Sequence, residues 1–211
     1  MKGCIKMKYV KEPPPTDIEL SRELSVSGWN RLKEPGNLLT AILASIPFMI
    51  INGFIYWYLF LRFHTPLTIM AGESSLNLHF NLNIIAALLI LPFLTLLHEF
   101  FHAAFIPDFT RSDKTFWGIR PWGAFVSTSE EVSKRRFLII SLAPLIILSI
   151  ILPIILDLLG FLSNLMAYAA FINALGASVD MLMLTLVAFQ VPSNSQIINN
   201  GWETFYKTRI E

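Results

Sequence analysis

An all-α polytopic membrane protein with about four transmembrane helices is the fold class this chain predicts, and three observations carry it. Hydrophobic residues make up 54% of the 211 and charged residues only 15%, more apolar and less charged than an ordinary soluble domain. The apolar residues gather into four runs, Leu38 to Leu61, Ile84 to Ile106, Phe137 to Leu156 and Phe161 to Phe189, each longer than the roughly 18 residues that a spanning helix needs. Lysine and arginine are segregated: seven stand in residues 1–36, six between Pro107 and Arg136 and two in the tail, while the other connections hold only Arg62.

That segregation sets the expected orientation, since short cytoplasmic loops retain positive charge. It predicts a multi-pass protein of the cell membrane with a cytoplasmic N-terminal segment (1–36), a transmembrane domain (37–190) and a cytoplasmic C-terminal tail (191–211). In the first segment Pro13-Pro14-Pro15 interrupts regular structure, and Thr16 with Glu19 forms a capping box for a short helix. Leu20, Leu24 and Trp29 then lay that helix either on the membrane interface or against the other helices. The first apolar run follows 36 largely polar residues, which is not the position of a secretory signal. Between the second and third runs, Thr115 to Val126 punctuates aromatic and β-branched residues with Gly118, Pro121 and Gly123, which reads either as a small β-hairpin at the membrane surface or as an interfacial aromatic belt without sheet. Pro144 and Pro153 bend the third helix.

A formal net charge of +1 and the lack of a Gly-rich phosphate loop exclude nucleic acid as a partner. The lipid bilayer is the expected partner. A single cysteine, Cys4, excludes an internal disulfide and a cysteine-based metal cluster.

The second run holds His98-Glu99-Phe100-Phe101-His102. Residues four apart share a helical face, so His98 and His102 present two imidazoles to one tetrahedral zinc ion, with Glu99 beside them as catalytic acid/base. Polar side chains are costly within a bilayer, about 3 kcal/mol for a carboxylate, so a chance occurrence of this turn is disfavoured. A catalytic zinc takes a third protein ligand, and Asp180 fits by depth. The second and fourth helices both run from outside to inside, which puts Asp180 nine residues before the cytoplasmic end of its run, against eight and four for His98 and His102, all within one to two turns. Asn173, Gly176, Ala177 and Asp180 share one face, and small residues there let helices approach closely. Asn173 is either an interhelical hydrogen-bonding residue or a contributor to the site.

The His98–His102 turn, the Arg135-Arg136 to Pro144 entry into the next helix, and Asn173 with Asp180 resemble the zincin peptidase family of small integral-membrane proteins, among the site-2-protease-like membrane metalloproteases. The resemblance covers roughly residues 84–190. It implies zinc (Zn2+) bound by His98, His102 and Asp180, Glu99 as the catalytic residue, and Asn173 positioning substrate or stabilising an oxyanion. Asp180 is followed by Met181, where site-2 proteases proper commonly have glycine. The expected activity is hydrolysis of peptide bonds in membrane protein or peptide substrates.

Two other classes compete. A metal transporter would need further polar residues along a path, and the first and third runs contribute little beyond Asn52. A non-catalytic metal-binding scaffold would gain nothing from an unligated Glu99. Glu130, Glu131 and Arg135, with His64, His79 and Asn83, also match patterns of prenyl-processing membrane proteases. The expected topology places the histidines and the glutamates on opposite sides of the bilayer, so they cannot form one site.

Overall fold

In lipid, only a helix satisfies the backbone of a single apolar run, because no water competes for its amides and carbonyls. Two helices of the computed structural model, which describes residues 7–61, 67–72, 75–80, 89–120 and 123–209, are long and apolar enough to cross a membrane. The first is α2, Leu38–Tyr56, capped by Asn37 Oδ1, which accepts from Thr40 N at 3.0 Å. A wider π-helical turn, Trp57–Leu61, extends it. The second is a continuous rod of α4 (Lys134–Ile146), a π-helical turn (Ile147–Ile151) and α5 (Leu152–Leu158). Its widened turn lies between Pro144 and Pro153. Neither proline can donate an amide bond, and a π turn accommodates that without breaking the rod.

The fourth apolar run is broken. Helices α6 (Asn164–Gly176) and α7 (Ser178–Gln190) meet at Ala177 with a 40° bend, and together they form a third candidate span. The second run forms α3, Leu91–Phe105, of 15 residues. At 1.5 Å per residue it is about 22 Å long, short of the ~30 Å hydrocarbon core. Ile84 to Leu88 lie outside the described residues. Polar groups pin the helices together: Asn52 Nδ2 donates to Ala174 O at 3.0 Å and Ser149 Oγ to Ala170 O at 2.8 Å. The apolar seam around them includes Tyr56, Phe60, Leu145 and Tyr168. Leu39, Ile50 and Phe54 of α2 point outward, as a lipid-facing surface requires.

The all-α expectation is overturned by three sheets, which make the architecture mixed α/β with two candidate spans, or three counting the bent pair, rather than four. The hairpin expected over residues 115–126 forms as β5 (Thr115–Arg120) and β6 (Gly123–Thr128), and β1 (Lys8–Tyr9) joins it in parallel along β5. A second sheet runs β2-β9-β8-β7, from Asn30–Arg31, Glu203–Thr208, Ser195–Asn200 and Val132–Ser133. Strands β3 (Leu67–Gly72) and β4 (Ser75–Phe80) pair in the connection between α2 and α3. The segment expected to be a tail thus forms the β8–β9 hairpin, closed by Gly201-Trp202. Gly201 at φ +61 occupies the position that a two-residue hairpin loop reserves for glycine.

The leading segment packs on that hairpin rather than lying free. Helix α1, Ile18–Val26, buries Leu24 against Ile198 and Phe205. Its cap is Asp17, whose Oδ1 accepts from Glu19 N and Leu20 N. Thr16, the expected cap, instead accepts from Trp202 N at 3.0 Å. Through β2 pairing with β9 and β7 with β8, the segment before α2, the segment after α7 and the loop before α4 meet in one sheet.

A candidate metal centre between α3 and α7

Helix α3 carries His98, Glu99 and His102 in little more than one turn, with the two imidazole rings 4.9 Å apart and nearly perpendicular. The break at Ala177 starts α7 afresh and puts Asp180 in its first turn. Free N–H groups there carry partial positive charge, which favours a carboxylate. Asp180 Oδ2 lies 3.1 Å from His98 Nε2, and Oδ1 lies 3.3 Å from His102 Nε2. The ligand atoms of the three residues fall within 4.8 Å of one another. The sequence brought these residues together by depth alone, and the fold brings them to contact.

Which nitrogens carry protons follows from their partners. His102 Nδ1 lies 2.8 Å from the carbonyl oxygen of Ile140, which only accepts, so Nδ1 donates. For His98 the logic runs through Asn173. Its Nδ2 donates to Pro144 O at 3.2 Å and to Ser149 Oγ at 2.8 Å, while the Ser149 hydroxyl donates to Ala170 O. The amide is therefore oriented, and its Oδ1 accepts from His98 Nδ1 at 2.9 Å. In neutral imidazoles both Nε2 lone pairs then face the Asp180 carboxylate, an arrangement that calls for a cation among them. Outer partners that fix the tautomer and aim of ligating histidines are the usual surroundings of such a cation.

The donor set suits zinc. Two nitrogens and a carboxylate are ordinary zinc ligands, and two ligands on a tetrahedral ion with bonds of about 2.0–2.1 Å stand roughly 3.3 Å apart. The observed nitrogen-to-oxygen separations are 3.1 and 3.3 Å.

Glu99 points away from Asp180 toward β6. Its Oε2 accepts from Val126 N at 2.7 Å, and one turn earlier Thr95 Oγ1 accepts from Ala124 N at 3.2 Å. The β5–β6 hairpin is thereby docked on α3 by two amides of the strand edge that β5 does not use. Thr95, not singled out from sequence, is legible only in retrospect as the residue four before Glu99. A cavity of about 220 Å³ opens beside His98, Glu99, Thr95, Gly123 and Gly176. A second, of about 270 Å³, reaches His102 and Asp180 from the other side of β6. Among the residues of the prenyl-protease pattern, His64 and Asn83 lie outside the described residues.

Both N–H groups of Asn173 are engaged with the rod, so it offers the site an acceptor and no donor for an oxyanion. Replacing Asn173 by alanine is expected to weaken zinc binding about 10- to 100-fold by releasing His98 Nδ1. Competition against a chromophoric chelator in detergent measures this, and unchanged affinity would remove Asn173 from the site.

Neither a search of curated proteins nor one of solved structures gave a match. A family model does match, over residues 89–195, from the start of α3 to the first residue of β8. That stretch contains all of His98, Glu99, His102, Asn173 and Asp180, and the chain belongs to the family described as "Putative zincin peptidase".

Proposed function

We propose that this protein is a zinc metallopeptidase of the HExxH type, embedded in the membrane, that hydrolyses peptide bonds of membrane-associated polypeptides. The observation that carries the proposal is the convergence of His98 Nε2, His102 Nε2 and Asp180 with Glu99 alongside. His98, His102 and Asp180 would hold the ion. Zinc bound there polarises a peptide carbonyl and acidifies water.

The remaining work belongs to the side chains. Glu99 accepts a proton from the attacking water and returns it to the leaving amine, a transfer worth about 10² to 10⁴ in rate. Val126 N holds one Glu99 oxygen, which aims the other at the cleft. Asn173 and Ile140 keep the imidazoles aligned. A scissile segment reaches Glu99 through the cavity beside His98, Thr95 and Gly123, because the outer amides of β6 at Ala124 and Val126 are already taken by Thr95 and Glu99.

The segments just before α2 and just after α7 share one sheet with the loop before α4, which supports a topology with all three on one face, and the lysines and arginines of these segments favour the cytoplasmic face. The transporter reading loses support because Asn52 and Ser149 are engaged in helix-to-helix bonds rather than lining a path. In the decisive experiment the protein is purified in detergent and assayed for metal and for cleavage of a transmembrane peptide. About one zinc per chain is expected, with cleavage lost on chelation and restored by zinc. Folded protein that takes up no zinc would sink the proposal.

A further inference from the structure

Resting on the peptidase reading, we infer that Glu34 forms a subsite for a basic side chain, and that the substrates are apolar segments flanked by lysine or arginine. Glu34 lines the same cavity of about 270 Å³ as His102 and Asp180. Thr204 and Asn199 of the β8–β9 hairpin and Thr128 of β6 add polar groups to its lining. The cavity therefore joins the metal centre to a carboxylate contributed by a distant part of the chain.

Among the described residues, that carboxylate is hydrogen-bonded but has no cation beside it. Its Oε1 accepts from Thr204 N and its Oε2 from Thr204 Oγ1 at 2.9 Å, leaving acceptor capacity on both oxygens. Arg31, three residues before Glu34, is turned to Glu203 at 3.0 Å. Among the described residues, Glu34 has no lysine, arginine or histidine at ion-pair distance. Burial pushes its carboxyl up from the ordinary value, and the Thr204 bonds and the charge of Arg31 offset this only in part. A partly buried anion of this kind gains more from an incoming cation than a solvated one does.

Its level in the molecule identifies the cation. Lys33 N donates to Gln190 Oε1 at 3.0 Å, and Gln190 Nε2 donates to Lys33 O at 2.9 Å. Gln190 ends α7 and Leu38 begins α2, so Glu34 lies where the candidate spans meet the surface. Lysine and arginine concentrate at that level on the cytoplasmic side of membrane segments. A substrate helix unwinding toward the zinc ligands would bring its basic flank to Glu34.

The test uses full-length, zinc-loaded protein carrying Glu99→Gln, so that ligand is bound and not consumed. Two acetylated and amidated fluorescent peptides share one apolar stretch and differ only in lysine or glutamine flanks. Fluorescence anisotropy in zwitterionic detergent should show the lysine-flanked peptide binding about tenfold tighter, with the preference abolished by Glu34→Gln at unchanged zinc content. Equal binding of the two peptides, or a preference that survives Glu34→Gln, overturns the subsite, and the first comparison needs no variant at position 34. Protein with native Glu99 separates the two readings: cleavage of both peptides at equal rates rejects the subsite and keeps the peptidase. Flank-dependent binding with no cleavage of either peptide rejects the peptidase and keeps the cation site.

Discussion

Glu99→Gln should lower peptide cleavage by about 10² to 10⁴ and leave zinc content unchanged. Glutamine keeps the shape of the side chain and, through Oε1, the ability to accept from Val126 N, so the hairpin stays docked on α3. What it loses is basicity. Glu99→Ala is a different experiment, because it removes the bond to Val126 as well as the proton acceptor. In that variant the Val126 amide should exchange with solvent faster, leaving Ala124 to Thr95 as the remaining tie. Metal analysis, turnover with a transmembrane peptide and hydrogen exchange of β6 therefore distinguish the chemical role of Glu99 from its structural one. Glu99→Gln protein that retains more than a tenth of its activity would remove Glu99 from the proton path.

The site was far more legible in the sequence than the fold around it, for physical reasons. His98, Glu99 and His102 lie within one helical turn, so their geometry is local and the 3.6-residue period alone puts the two imidazoles on one face. Asp180 required only that its helix cross in the same direction as that of His98, and depth along a helix is a linear quantity. The placement of protons was not readable, because it runs through backbone carbonyls of Ile140, Pro144 and Ala170, which no side-chain pattern encodes. Asn173 illustrates the loss: its position on the correct face was visible, while the commitment of its amide to the rod was not.

The sheets were hidden in two ways. Strands β1, β2 and β7 are two residues each, too short to show alternation, and each pairs with a partner far away in sequence. Hydropathy also dominates a chain of this composition, so everything outside the apolar runs reads as connection. One signal was nevertheless present. Asn200-Gly201 reads as a hairpin turn dipeptide flanked by β-prone residues, although the loop that forms is Gly201-Trp202, one residue later. The break in the fourth run was less evident, since Gly176, Ala177 and Ser178 are small residues that suit close helix packing as well as a bend. That bend is what gives Asp180 a helix start of its own.

Asp180→Asn should abolish stoichiometric zinc binding while preserving the fold. The introduced amide would occupy the same volume as the carboxylate, and its N–H can donate to one of the two Nε2 lone pairs, which are otherwise aimed at an anion. Without that anion, two imidazoles remain to hold the ion, and the fall in affinity should exceed the roughly 10- to 100-fold that loss of an outer partner such as Asn173 costs. Asp180→Ala should also lose zinc, but it leaves both Nε2 atoms unpartnered within a site whose histidines are only 14% and 13% exposed. Buried unsatisfied acceptors cost about 1–3 kcal/mol each, so the alanine variant should melt below the asparagine variant when both are metal-free. Thermal unfolding in detergent, with and without zinc, reads both effects. Zinc should raise the melting temperature of the parent protein and leave both variants unmoved, because only a ligand that binds the folded state shifts its stability. An Asp180→Asn protein that still binds one zinc per chain with parent affinity would exclude Asp180 as a ligand, and would leave the two histidines requiring a third partner elsewhere in the cavity.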